Sequence, residues 1–241
     1  MDNILLTICA RGGSKGIPGK NIKTIAGKPL IQYTIIVAKS FAIKFNSKIT
    51  LSTDDLEIKK AAEKAGLFTK YERPRFLATD EAGKIDTIRD LLIYEESIEN
   101  IKYDYILDLD VTSPLRTLDD LQNAFKILKN NKEALNIFSV NNAARNPYFN
   151  MVEENQNGFY SLVKTNPDGS LLTRQSAPKV FELNASFYIY RRLFFDSDLK
   201  SAITEKSLIY EMNHICFDLD HPVDFLFMEY LLKNDKLDFK L

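Results

Sequence analysis

A short apolar run, ILLTICA at residues 4–10, breaks into RGGSKGIPGKN, and this junction constrains the fold more than any other stretch. The run has the length and apolar character of a buried strand. The eleven residues after it hold four glycines and a proline, a composition that excludes regular structure and predicts a shaped loop. A buried strand that ends in such a loop ahead of a helix is the entry to an open α/β sheet. Sheets of that kind bind ligands at the carboxyl ends of their strands.

The same alternation continues to about residue 140. Pro29 opens the helical segment LIQYTIIVAKS, and residues 48–52 read as a second strand. DDLEIKKAAEKAG reads as a helix capped by Asp54, with Leu56, Ala61, Ala62 and Ala65 inward and Gly66 as its C-terminal stop. A helix over 85–98, a strand over 103–110, the threonine-capped helix TLDDLQNAFKILKNN and a strand over 136–140 follow. Residues 141–176 are rich in Asn, Pro and Gly, which predicts hairpins leaving the main sheet. Regular structure resumes with a strand over 185–190, then ICFDLD as a last short strand and PVDFLFMEYLLKN as a closing helix. The expectation is one α/β domain over 1–241, a mostly parallel sheet flanked by helices, carrying a protruding insertion.

Composition narrows the function. With 45% hydrophobic and 27% charged residues the chain is globular, and 32 basic against 33 acidic residues leave no positive field for a nucleic acid or an anionic membrane. The two cysteines, Cys9 and Cys216, sit in apolar stretches, and His214 and His221 match no zinc or hydrolase spacing. The start MDNILLTICARGG lacks the basic opening of a secretory signal, and no stretch reaches the ~18 apolar residues of a membrane span. A cytoplasmic protein is expected.

The glycine-rich loop departs from two familiar phosphate motifs. Gly13 stands six positions before Gly19, and Lys20 is followed by Asn21, so the Walker A spacing fails; the G-x-G-x-x-G fingerprint is also absent. What the loop does present is Arg11, Lys15 and Lys20 with the hydroxyl of Ser14 and the amide of Asn21. Glycines let backbone N–H groups approach a polyphosphate, while fixed cations neutralise charge that builds up when phosphorus is attacked.

ARGGSKGIPGKNIK resembles the N-terminal motif of the acylneuraminate cytidylyltransferases, which activate nine-carbon 2-keto sugar acids as CMP-sugars. RPRFLATD at 73–80, TSPLRT at 112–117, RQSAPKVFELNASFYIY at 174–190 and FDLDHPVDF at 217–225 resemble the same family in the same order. The resemblance implies a Rossmann-like nucleotidyltransferase fold, with residues 141–183 as an inserted arm that pairs two subunits into a homodimer. It puts Arg11 and Lys20 on the triphosphate of CTP, with Gly12, Ser14 and Asn21 helping to bind it and Arg73 and Asp80 near the cytidine. Arg174 would meet the sugar carboxylate through two parallel hydrogen bonds, with Gln175, Asn184 and Tyr188 along the same pocket. Asp218 and Asp220 would hold Mg2+ or Mn2+, both carboxylates facing one way from a strand, although Asp220 could instead cap the following helix.

One departure stands out. Members acting on sialic acid carry Gln-Pro ahead of TSPLR, whereas this chain has Asp110-Val111. Asp110 therefore either contacts a different acceptor, such as legionaminic or pseudaminic acid, or joins the metal shell. No general base is assigned. Activation of the eight-carbon acid Kdo, or nucleotide-sugar binding without turnover, stand as alternatives.

Overall fold

The computed structural model describes residues 2–13, 16–166 and 173–241. Its strands are β1 (Ile4–Cys9), β2 (Thr24–Ile25), β3 (Lys28–Pro29), β4 (Lys48–Ser52), β5 (Tyr105–Leu109), β6 (Asn136–Asn142), β7 (Val152–Glu154), β8 (Tyr160–Leu162), β9 (Phe181–Arg191) and β10 (Ser207–Glu211). The α-helices are α1 (Leu30–Phe45), α2 (Leu56–Lys64), α3 (Lys84–Glu99), α4 (Leu118–Asn130) and α5 (Pro222–Lys233). None of them is long and apolar enough to cross a membrane.

Six strands form one sheet in the order β10-β6-β9-β5-β1-β4, in which β9 runs antiparallel to both neighbours and the other pairings are parallel. Successive side chains of a strand face opposite ways, and β1 uses both faces. Leu6 and Ile8 join the cluster built with α1, α4 and α5, while Leu5 packs with Ile106, Ile85, Ile88 and Leu92 toward α3. A strand buried on both sides reads as a continuous apolar run, which is why ILLTIC was recognisable. The carboxyl ends of β1, β4, β5 and β6 point one way, and the antiparallel β9 brings its amino end to the same edge.

Three sequence expectations need correction. Asp55 caps α2, its carboxylate accepting from the N–H groups of Glu57 and Ile58, whereas Asp54 accepts from Gly12 N. Leu56 is 72% exposed, and Ile58 and Ala62 are the buried residues of that helix. ICFDLD forms no strand. It runs beside the sheet edge, held by bonds from Leu219 N to the Thr112 carbonyl, from Ser113 Oγ to the Phe217 carbonyl and from Asn141 Nδ2 to the Cys216 carbonyl. One backbone bond and two side-chain ties stand in place of a ladder there, and the last sheet strand is β10, which the sequence reading passed over.

Between Phe138 and Val140 the β6–β9 register slips, pairing Phe138 with Tyr188 but Val140 with Leu183. Ala185 at φ 57 turns the backbone through the left-handed region to make this bulge. Its buried centre is held by Arg116, which donates Nη1 to the Ser186 carbonyl at 2.6 Å and the Ser113 carbonyl at 2.8 Å. Nη2 donates to Thr34 Oγ1 at 2.6 Å and the Asp110 carbonyl at 2.7 Å. Burial pushes the guanidinium down to about 10, yet it stays a cation at neutral pH. Arg116→Met should cost about 3 kcal/mol or more, because several buried acceptors lose their donor together. A fall of about 10 °C in Tm is the expected result; an unchanged melt would show that these bonds are replaceable.

Candidate active site

The loop after β1 is tied down at several points. Ala10 N donates to the Ser52 carbonyl, Asn21 Nδ2 to the Arg11 carbonyl at 2.9 Å, and Gly12 N to Asp54 Oδ1 at 3.1 Å. A Cβ on Gly12 would stand 2.4 Å from Asp55 Oδ2, so only glycine fits between this loop and the start of α2. Gly19, at φ 64, then turns the chain into the short 3₁₀ segment Lys20–Ile22. That turn presents Lys20, whose ammonium lies 3.1 Å from Asp220 Oδ1. The basic loop and the acid pair near the C-terminus therefore meet, 200 residues apart in sequence.

Two cavities open at this edge of the sheet and share Cys9, Arg11 and Asp110. One, of about 350 Å³, is completed by Gly16, Lys20, Asn21 and Thr112. The other, of about 190 Å³, is lined further by Arg73, Leu77, Thr79, Asp80, Ala82, Lys84 and Thr87. Arg11 crosses between them, its Nη1 2.7 Å from Asp80 Oδ1. Arg73 is buried, with Nε donating to Ser52 Oγ and Nη2 to the Ser52 carbonyl, both at 2.8 Å. Asp80 and Arg73 thus fix the wall of the smaller cavity as well as lining it.

Charge at the shared floor is strongly organised. Lys84 lies 2.6 Å from Asp110 Oδ2 and 2.9 Å from the fully buried Asp108, and 5.4 Å from the centre of the Tyr188 ring. Burial works against the ammonium, but the two carboxylates overcome it and hold Lys84 well above its usual range. Burial likewise opposes ionisation of Asp110, yet Lys84 and the Thr112 N–H and hydroxyl bring it down to about 2. Cys9 goes the other way. Burial, reinforced by Asp108, pushes its thiol up to about 12, which leaves it unreactive at the cavity floor.

Asp218 is only partly satisfied. Its Oδ1 is buried without a hydrogen bond among the described residues. Burial pushes the carboxyl up, Asp110 and Asp220 add to the rise, and Thr112 and Lys20 oppose it. An orphaned oxygen beside further carboxylates suits a hard cation, which binds through one or two carboxylates and completes its shell with phosphate oxygens and waters. Among the described residues no three His, Cys, Asp or Glu side chains form a ready-made cage. Asp220 does not cap α5; His221 occupies that position, and the Asp224 carboxylate accepts from the N–H groups of Asp220 and His221.

Arg11, Gly12, Lys20, Asn21, Arg73, Asp80, Asp110, Asp218 and Asp220 gather at this edge. Ser14 and the side chain of Arg174 lie outside the described residues. Gln175 is exposed in the short turn Arg174–Ser176. Asn184 is buried within the β9 bulge, accepting from Ser139 Oγ and donating to Asn141 Oδ1, so its amide is committed to the bulge. His214 is likewise used elsewhere, with Nε2 2.9 Å from Asp120 and its ring stacked on Phe239. Sequence reasoning passed over Lys84, although a lysine opening a helix sits against the macrodipole and signals a local carboxylate partner.

A family model described as cytidylyltransferase matches residues 5–232. The chain belongs to the acylneuraminate cytidylyltransferase family. It is a nucleotidyltransferase of the CMP-nonulosonic acid synthetase family. This cytidylyltransferase is 39% identical over 241 residues to the post-translational flagellin modification protein B of Campylobacter coli, covering 100% of this chain and 99% of that one. It is 37% identical over 234 residues to the CMP-N,N'-diacetyllegionaminic acid synthase of Campylobacter jejuni, covering 96% of each. A solved structure of CMP:2-keto-3-deoxy-manno-octonic acid synthetase complexed with CTP superposes with a TM-score of 0.70 at 16% identity, over 97% of this chain and 100% of that one, a likeness of fold.

Proposed function

We propose that this cytidylyltransferase transfers CMP from CTP to the C2 oxygen of a nine-carbon 2-keto sugar acid, with a legionaminic-type acid as acceptor. The acceptor oxygen bonds to the α-phosphorus, the bond from that phosphorus to the bridging β-phosphate oxygen breaks, and pyrophosphate leaves. The hydroxyl proton passes to solvent. Such chemistry rests on positioning and charge neutralisation. Arg11 and Lys20 bind the phosphates, Asn21 and the backbone at Gly12 shape the loop around them, and Ser14, outside the described residues, is assigned to the nucleotide by the family resemblance alone. The 3.1 Å contact between Lys20 and Asp220 carries this reading, because it sets an acid of the C-terminal pair beside a cation that lines the cavity of about 350 Å³.

Asp218 and Asp220 would hold a divalent cation, Mg2+ or Mn2+, which neutralises charge on the transferring phosphate. The smaller cavity, with Arg73 and Asp80, takes the cytidine. Arg174 binds the acceptor carboxylate, with Gln175, Tyr188 and the bulge around Asn184 shaping the pocket. Asp110 brings a carboxylate where sialic acid enzymes carry glutamine, and the relative named a legionaminic acid synthase at 37% identity supports the choice of acceptor. Pyrophosphate release with CTP and Mg2+ across legionaminic, pseudaminic, N-acetylneuraminic and Kdo acids tests it. The legionaminic acid should give the fastest release. Release with none of them would favour a nucleotide-sugar binder, and fastest release with Kdo would move the chain to the eight-carbon class.

The β7–β8 hairpin exposes Val152, Phe159 and Tyr160, at 61%, 72% and 67%. An exposed apolar arm on a globular chain fits the homodimer that the family resemblance implies. Sedimentation at micromolar concentration should give the dimer mass; monomer alone would remove the arm from that role.

A further inference from the structure

We propose that Lys84 reads the ribose of the bound nucleotide and makes this enzyme select ribonucleotide over 2′-deoxyribonucleotide. The inference rests on the reading of the two cavities as one CTP site. The larger cavity holds the phosphate-binding groups, whereas the smaller is walled by Leu77, Thr79, Ala82 and Thr87 and suits a base. A nucleotide spanning both must lay its ribose across the floor they share. That floor is where Asp110 lies, with the Lys84 ammonium 2.6 Å from it.

An ammonium has three donors in tetrahedral array. Asp110 Oδ2 takes one of them, and Asp108 Oδ2 lies 2.9 Å away as an ion-pair partner that accepts no hydrogen bond among the described residues. The Lys84 side chain is 34% exposed and lines the smaller cavity, so among the described residues the ammonium keeps a donor for a ligand there. The fully buried Asp108 cannot move, being bonded through Oδ1 to Thr7 Oγ1 at 2.8 Å. Tyr188 closes one side with its ring face. The lysine is thereby fixed in direction as well as charge, which converts a flexible side chain into a specific hydrogen-bond donor. A ribose hydroxyl accepts from it; a 2′-deoxy sugar leaves the desolvated donor without a partner, and sites built around a hydroxyl reject analogues that lack it.

Isothermal titration of CTP and 2′-deoxy-CTP in the presence of Mg2+ tests this with the whole protein. Wild type should bind CTP more tightly by about 10- to 100-fold, the range for a hydrogen bond to a charged group. Lys84→Met should bring the two affinities within about threefold. Because that change strands Asp108 and Asp110, the double variant Lys84→Met with Asp110→Asn, which removes one charge of each sign, should be titrated as well and should lose the preference too. Equal affinities in wild type would overturn the proposal, as would a preference retained in either folded variant. Failure of wild type to bind CTP at all would instead overturn the underlying CTP site.

Discussion

Lys20→Ala should lower kcat/KM for CTP by about 10²–10³-fold, the usual effect of removing one preorganised group that meets developing charge. Its stability should hardly change. The Lys20–Asp220 pair has side chains 14% and 63% exposed, and such a pair contributes about 0–1 kcal/mol. On the proposed reading Lys20 would give up Asp220 for phosphate oxygens at little cost, so the contact would organise the cation without locking it away. Steady-state pyrophosphate release and a thermal melt on the same preparation separate the two effects. A rate within threefold of wild type would remove Lys20 from the triphosphate; a lower rate with a much lower Tm would assign it to the fold. Raising Mg2+ should leave the deficit in place, since the missing charge belongs to the loop.

The framework was legible where local chemistry decides it. β1 and its glycine-rich loop, the β4 strand, the Thr117-capped helix and the closing helix read directly from apolar runs, caps and breakers. The acid pair was legible as residues but not as geometry. ICFDLD has the apolar alternation of a strand, yet its bonds go to Thr112, Ser113 and Asn141, partners that only the folded chain supplies. The bulge at Ala185 was equally hidden, because its support comes from Arg116 and Ser139 on other elements. Lys84 shows the limit most clearly. Its role depends on two carboxylates 24 and 26 residues away that β5 delivers under the first turn of α3.

Asp218→Asn should lose metal-dependent turnover by about 10²-fold or more at limiting Mg2+, while the protein melts at the same or a higher temperature near neutral pH. The two halves have one cause. The Asp218 carboxyl is raised by burial and by Asp110 and Asp220, so its ionised form opposes folding at any pH above its folded-state value. Below the unfolded-state value the group is protonated in both states and that opposition vanishes. Any stability advantage of the variant should therefore be present at pH 8 and shrink as pH falls through the raised titration. A site that keeps a charge it would be more stable without is holding it for a ligand, and a divalent cation relieves the repulsion among these acids. Asp220→Asn should also lose turnover at limiting Mg2+, with little change in stability, since Asp220 is exposed. Unchanged rate for Asp218→Asn across Mg2+ concentrations would remove Asp218 from the cation site, and a lower Tm at pH 8 than at pH 5 relative to wild type would contradict the electrostatic account of its burial.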